Sequence, residues 1–310
     1  MITRRHLRTK VMQAIYAQQL ALSDNQKAGE AWIIKSSQDF YVLYITLLDL
    51  FAHLHACGYA LYQKNLNKRI PAREDALNPK FFSNKALALL MESPILEAQR
   101  KKHKVIYWKK HDEYVRLIWD AVAASELYQD YLKAETSSLD EDKAFLIKLF
   151  TDVIVPYDRL AEFIEEVNIS WVDDVPLVNT IVKQTLTDLD KPNIIHHELY
   201  KSDEDRMFSL ALFQKTSEHI DELTAEIVGR TPNWDPDRIA ALDLVLLLMA
   251  LTELLYFPSI PINVTINEYL EIAKEYATPK SSVFINGVLD KLVKEWTAQE
   301  RIRKNIRGMQ

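Results

Sequence analysis

Residues 233–296 read NWDPDRIAALDLVLLLMALTELLYFPSIPINVTINEYLEIAKEYATPKSSVFINGVLDKLVKEW, and they resolve into three successive helices. Asn233-Trp234-Asp235-Pro236-Asp237 is a start signal, with acids where a helix N-terminus favours negative charge. The spacing predicts a helix from about Arg238 to Tyr256, ended by Pro258 and Pro261. A second helix from about Val264 to Tyr276 buries Ile266, Leu270 and Ala273, and Thr265 with Glu268 has the spacing of a capping box. Thr278 caps a third helix with Pro279 at its first position, where a missing amide donor costs nothing. Its apolar face is Phe284, Val288, Leu292 and Trp296. Gly287 inside that helix costs about 1 kcal/mol relative to alanine, and reads as close helix packing, the other reading being a ligand contact.

Outward from this stretch the same 3.6-residue period dominates, and no run of alternating β-branched residues with hairpin turns appears. The fold class is therefore all-α. A first helix carries Leu7, Val11, Ala14, Ile15 and Leu22 on one stripe and is stopped by Ser23-Asp24-Asn25. A long helix is predicted from about Gln38 to Asn67, then a loop holding Pro71, Pro79 and Pro94, then helical pattern from about Asp112 to Glu135. At an offset of 63 residues, Asp142, Phe145, Leu149, Phe150, Asp158, Leu160, Ile164, Trp171 and Asp174 recur as Asp205, Phe208, Leu212, Phe213, Asp221, Leu223, Ile227, Trp234 and Asp237. This pattern reads as a duplicated helix-turn-helix unit, the alternative being coincidence.

Composition narrows the function. With 310 residues, 48% hydrophobic and 26% charged, the chain is neither disordered nor fibrous. The 5 glycines are too scattered for a phosphate-cradling loop, which argues against Rossmann or Walker-type nucleotide binding. The lone Cys57 permits no intramolecular disulfide, and the N-terminus carries no signal-like apolar run, so a cytoplasmic location is expected. The greasy stretch Leu244 to Leu251 is too short to span a bilayer and reads as a core helix, without a membrane role. His53 with His55, and His196 with His197 and Glu198, lack the spacing of a helical zinc pair, so no metal is expected. No nucleophile elbow is present, and neither Glu165-Glu166 nor Asp173-Asp174 stands out as a catalytic couple.

The run Arg238-Ile239-Ala240-Ala241-Leu242-Asp243, then Glu253-Leu254-Leu255-Tyr256, then PINVTINEYLEIA at 261–273 and FINGVLDKL at 284–292, resembles the NusB family of transcription antitermination factors. Arg4-Arg5-His6-Leu7-Arg8-Thr9-Lys10, followed by Gln13-Ala14-Ile15-Tyr16, resembles that family's arginine-rich first helix. The likeness covers about residues 3–22 and 205–296. It implies a bundle of two small helical subdomains, no enzymatic activity and no cofactor. It also implies binding of boxA-type leader RNA of ribosomal RNA operons jointly with the ribosomal protein NusE, in service of the RNA polymerase elongation complex. On this reading residues 1–22 are the first helix with its basic arm and 23–200 a helical insertion. Residues 201–232 then complete the N-terminal subdomain and 233–298 form the C-terminal one; the tail 299–310, with Arg301, Arg303, Lys304 and Arg307, reads from its composition as a disordered basic end, the alternative being a nucleic-acid contact.

The first ten residues hold Arg4, Arg5, Arg8 and Lys10 and no acid, on a chain whose net charge is −6. Arginines fork onto phosphates and stack on unpaired bases, so this arm is a candidate for single-stranded RNA. The alternative is a solvated basic helix start. Lys280, Ser281 and Phe284, beside the open amides of a helix N-terminus, are the second RNA candidate; the other reading of Phe284 is core. The resemblance places RNA contacts here, although Lys280 and Val283 stand where the family commonly has an acidic and a basic residue. Asp243 matches an acidic family position near the NusE-binding face and is expected to be exposed and paired with a basic partner, the alternative being an intramolecular ion pair. The cluster Arg100, Lys101, Lys102, Lys104, Lys109 and Lys110, interleaved with His103, Tyr107, Trp108 and His111, reads as a solvated face or a nucleic-acid surface. An RNA-binding antitermination factor is the resulting expectation. Its competitor is a helical protein-interaction scaffold that no longer binds RNA.

Overall fold

The computed structural model describes residues 1–21, 25–67, 78–192, 194–196, 198–229 and 239–305. Every regular element among them is helical, as the period requires. Two compact units form: one from Gln38–Leu199 with Met1, the other from Ile2–Ser37 and Tyr200–Gln310.

Helix α1 spans Arg4–Ala21 and α2 spans Gln26–Leu66. The α2 start precedes the expected Gln38 because Asn25 caps it: its Oδ1 accepts from the Ala28 amide at 3.1 Å. From Phe40 to Phe51 every residue of α2 is buried, so the segment, apolar but for Thr46 and Asp49, is covered all round and shows no amphipathic period. The helix is long and apolar enough to cross a membrane, but most of that window is buried inside the protein, as in a core helix.

The remaining helices of the Gln38–Leu199 unit are α3 Lys85–Met91, α4 Pro94–Lys102, α5 Tyr107–Lys110, α6 Asp112–Ala124, α7 Glu126–Lys133, α8 Leu139–Lys148, α9 Asp158–Val167 and α10 Val175–Thr187. Pro94 does not lie in a loop; it is the first residue of α4, capped by Ser93. The expected helix over 112–135 breaks at Ser125, whose side chain caps α7. Polar groups at the edges of the apolar α2 surface find backbone and hydroxyl partners. Trp108 Nε1 donates to the Thr46 carbonyl at 2.7 Å while its ring stacks on Phe163 at 3.9 Å. Trp171 Nε1 donates to the Asp39 carbonyl at 2.9 Å, and the Tyr44 and Thr185 hydroxyls meet at 2.9 Å. Gly58 matters for close approach, because a Cβ there would sit 2.4 Å from the Trp119 ring.

The second unit adds α11 Asp203–Glu218, α12 Ile220–Val228, α13 Ala241–Tyr256, α14 Ile262–Tyr276 and α15 Ser281–Ala298. Helix α13 is its centre: Val245 through Leu254 are all buried, and α13 packs against α1, α11, α12, α14 and α15. The start signal at 233–237 lies outside the described residues, as do Ser23, Asp24, Leu22, Pro71, His197 and Arg307. Helix α14 begins at Ile262, so Thr265 and Glu268 do not form a capping box; both reach other helices instead. Helix α15 begins at Ser281, with the Ser281 amide bonded to the Thr278 carbonyl at 2.9 Å, so Pro279 sits in the preceding turn. Its core face is Ile285, Val288, Leu289, Leu292 and Trp296, with Phe284 only half-buried. Gly287 is not a close-packing site, since a Cβ there would meet nothing within 4 Å.

The segments matched at an offset of 63 are each a helix pair, α8 with α9 and α11 with α12, and Phe145, Leu149, Phe150, Leu160 and Ile164 are buried like Phe208, Leu212, Phe213, Leu223 and Ile227. The first pair carries a π-helical stretch at Leu149–Ile154; Trp234 and Asp237 of the second lie outside the described residues.

Residues 299–305, which follow α15, pack against the unit. Arg301 lies over the Trp296 ring at 4.6 Å and pairs with Glu226 at 2.9 Å. Lys304 Nζ donates to the carbonyls of Phe257 at 3.0 Å and Glu253 at 3.3 Å, at the C-terminal end of α13. Burial pushes this ammonium down to about 8, against the pull of the Glu253 carboxylate. A lysine whose folded pKa lies below its unfolded one binds fewer protons in the native state, so its contribution to stability rises with pH above about 8 and levels off near its ordinary 10.5. Denaturant midpoints measured across that window should show this rise in the parent chain and a flatter profile in Lys304→Met; identical profiles would count against the assignment.

Candidate nucleic-acid interface

The basic arm lies within α1, where the 3.6-residue turn sends its cations to different neighbours. Arg4 is a helical residue rather than part of a preceding arm. Its Nε donates to Asp205 at 2.6 Å and its Nη2 to Glu204 at 3.0 Å, with the guanidinium 5.2 Å from the Phe208 ring centre. Arg5 forks onto Glu268 with bonds of 2.8 and 3.0 Å, and the Arg5 pairing holds the Glu268 carboxyl below its usual range. Arg8 forks onto Glu253 with two bonds of 2.8 Å and approaches Glu268 at 3.6 Å.

Exposure separates these pairs. The Arg8 and Glu253 side chains are 2% and 0% exposed, so this is a core ion pair. Burial opposes the Arg8 charge, but the Glu253 carboxylate outweighs it and raises the guanidinium's pKa. Glu253 also accepts from the Thr265 hydroxyl at 2.8 Å and the Tyr269 phenol at 3.3 Å, and burial beside that carboxylate raises the phenol's pKa well above its ordinary value. Arg4 and Arg5 keep 33% and 46% of their side chains exposed. Exposed ion pairs are worth about 0–1 kcal/mol, so a phosphate can compete for Arg5 at little cost, while Arg4 is held more firmly by Asp205, whose side chain is only 11% exposed. Arg8 is out of reach, and Lys10, 1% exposed, is buried too. Both are corrections to the expected RNA-binding arm.

At the start of α15, Lys280 is exposed. Ser281 is buried and donates its hydroxyl to Asp243 Oδ2 at 3.0 Å, which removes it from a ligand-facing role. Asp243 itself is 7% exposed, contrary to the expected open surface, and its bond is to a neutral hydroxyl rather than a cation. Among the described residues Oδ1 has no hydrogen-bond partner, and burial raises the carboxyl's pKa against the Ser281 bond. Asp243 lies in the first turn of α13, where the helix dipole favours an anion. Phe284 is half-buried.

Glu204, Asp205, Glu253, Glu268, Phe208 and Tyr269 were not read from the sequence as partners of the basic arm. One signal was available: Glu253 interrupts the run LLLMALTELL, and an acid in an all-round apolar helix demands a buried cation. In basic cluster 100–110 the aromatics turn inward: Trp108 is fully buried, and Tyr107 meets Trp171 edge-on at 5.2 Å.

This is an all-helical protein whose first helix is tied by ion pairs to α11, α13 and α14. The NusB family profile matches residues 177–294. Three similar proteins are each described as transcription antitermination protein NusB. The one from Salinibacter ruber is 38% identical over 137 residues, covering 43% of this chain and 86% of its own. Those from Geobacter sulfurreducens and Chloroherpeton thalassium are 45% and 35% identical, over 28% and 33% of this chain and 63% and 48% of theirs. No solved structure matches. The chain belongs to the NusB family, a family of non-enzymatic factors.

Proposed function

We propose that this chain is a cytoplasmic transcription antitermination factor that binds boxA-type leader RNA of ribosomal RNA operons together with ribosomal protein NusE and acts on elongating RNA polymerase. The observation that carries this reading is the 38% identity to the Salinibacter ruber protein along 86% of that relative. Residues 23–200 act as a helical insertion into that bundle. The RNA contacts fall to the exposed Arg5 and Lys280, the half-buried Arg4 and the half-buried Phe284. The NusE contact falls to the α13 N-terminal region around Asp243, reached by a local opening of the Ser281 bond.

The internal pairing of Arg4, Arg5 and Arg8 favours a second reading, a protein-interaction scaffold that does not bind RNA. Fluorescence anisotropy of labelled boxA RNA, with and without NusE and at increasing salt, separates the two. Arg5→Ala with Lys280→Ala should weaken binding several-fold, and the slope of log affinity on log salt should fall by about one for each phosphate no longer neutralised. Absence of measurable binding by the parent chain, with or without NusE, would establish the scaffold reading, whereas undiminished affinity and slope in the double variant would move the RNA contacts away from Arg5 and Lys280.

A further inference from the structure

A cleft of about 610 Å³ opens beside α4 and α5. Its apolar lining is aliphatic: Leu96 is buried, while Met91 and Ile106 are 40% and 44% exposed. Its polar lining is cationic, with Arg100, Lys104 and Lys109. Arg100 is held from behind by the buried Asp49 at 3.0 Å. Lys101 and Glu97, also at the cleft, pair with each other. Lys104 and Lys109 are exposed, with no carboxylate partner among the described residues.

The backbone at Lys104 adds an independent observation. Helix α4 ends in a Schellman arrangement: the Val105 amide bonds the Arg100 carbonyl at 3.0 Å and the Lys104 amide bonds the Lys101 carbonyl at 3.3 Å. The residue between must adopt a left-handed conformation, and Lys104 does so with φ of 52°. Glycine is the usual occupant because it has no Cβ to strain. Here a lysine stands at that position and sends its side chain to the cleft.

We propose that this cleft binds an acidic segment of a partner protein that carries aliphatic side chains. Carboxylates meet Lys104, Lys109 and Arg100 at the rim, and aliphatic groups cover Met91 and Ile106. Single-stranded RNA fits less well, since stacking on bases needs exposed rings and the aromatics of this segment are turned into the core. No residue invoked for boxA RNA takes part, so either reading can fail without the other.

The probe is a fluorescein-labelled peptide of about 15 residues, built of glutamate and leucine as an acidic amphipathic helix and titrated with the full chain. Peptides with lysine in place of glutamate, and an oligouridylate of equal length, serve as comparisons. Lys104→Gly relieves the left-handed strain, so its thermal midpoint should hold or rise while affinity for the acidic peptide falls about tenfold, the scale of a truncated interface anchor. Ile106→Ser should weaken the peptide comparably, and the lysine peptide should not bind. The proposal is overturned if the acidic peptide fails to bind, or binds equally to both variants. It is also overturned if oligouridylate competes for the site and responds to Lys104→Gly but not Ile106→Ser, which would make the site a phosphate patch.

Discussion

Replacing Arg8 by alanine should destabilise the unit built on α13 by about 3–5 kcal/mol, because it strands the Glu253 carboxylate in a site with no solvent. Glu253→Gln should cost somewhat less, because the buried guanidinium keeps the more distant Glu268 carboxylate at 3.6 Å. The double variant Arg8→Met with Glu253→Met should cost less than the sum of the two, since a buried pair replaced by apolar groups removes both desolvation terms. It should not return to parental stability, because the Thr265 hydroxyl and Tyr269 phenol lose their acceptor. Urea unfolding followed by circular dichroism gives all three numbers. A single-variant loss below about 1 kcal/mol would mean that water reaches the pair and that the arrangement behaves like a surface ion pair.

The second large effect belongs to the other unit. Trp108→Ala removes a fully buried indole that stacks on Phe163 and occupies the Thr46 carbonyl. Loss of a core tryptophan costs about 3–5 kcal/mol, set by how far the surroundings collapse into the space. Trp108→Phe keeps most of the ring packing and removes the N–H donor, so it should fall between the parent and the alanine variant. Tryptophan fluorescence and circular dichroism, followed together through a denaturant titration, would report both. An alanine variant as stable as the parent would refute the role assigned to this side chain.

How much of this was legible depends on whether the signal was local. The all-helical class was, because the period of 3.6 and the proline stops operate within single turns. The order of α13, α14 and α15 was also readable, although α14 and α15 start two residues early and late of expectation, the boundary being decided by backbone bonds such as Ser281 to Thr278. Helix α2 was half-read: a core helix with no polar face offers no periodicity, and its true start depended on one asparagine cap. The basic arm misled in an instructive way. A cation count near the N-terminus is local, but the carboxylates that consume those charges are Glu204, Asp205, Glu253 and Glu268, some 200 to 263 residues along the chain. All three arginines are paired, and only burial distinguishes the partly exposed Arg4 and Arg5 from the enclosed Arg8. Asp243 failed for the same reason, its cover coming from Ser281 on another helix.

That separation has a consequence for how the chain is made. The bond from Arg8 to Glu253 closes across 245 positions, so α1 leaves the ribosome long before α13 exists. At about 5–20 residues per second the wait is roughly ten to fifty seconds. Throughout it Leu7, Val11 and Ile15, all buried in the finished protein, have no native neighbour on α11 or α13. Nascent α1 thus keeps its apolar stripe uncovered until the last third of synthesis supplies α11 and α13.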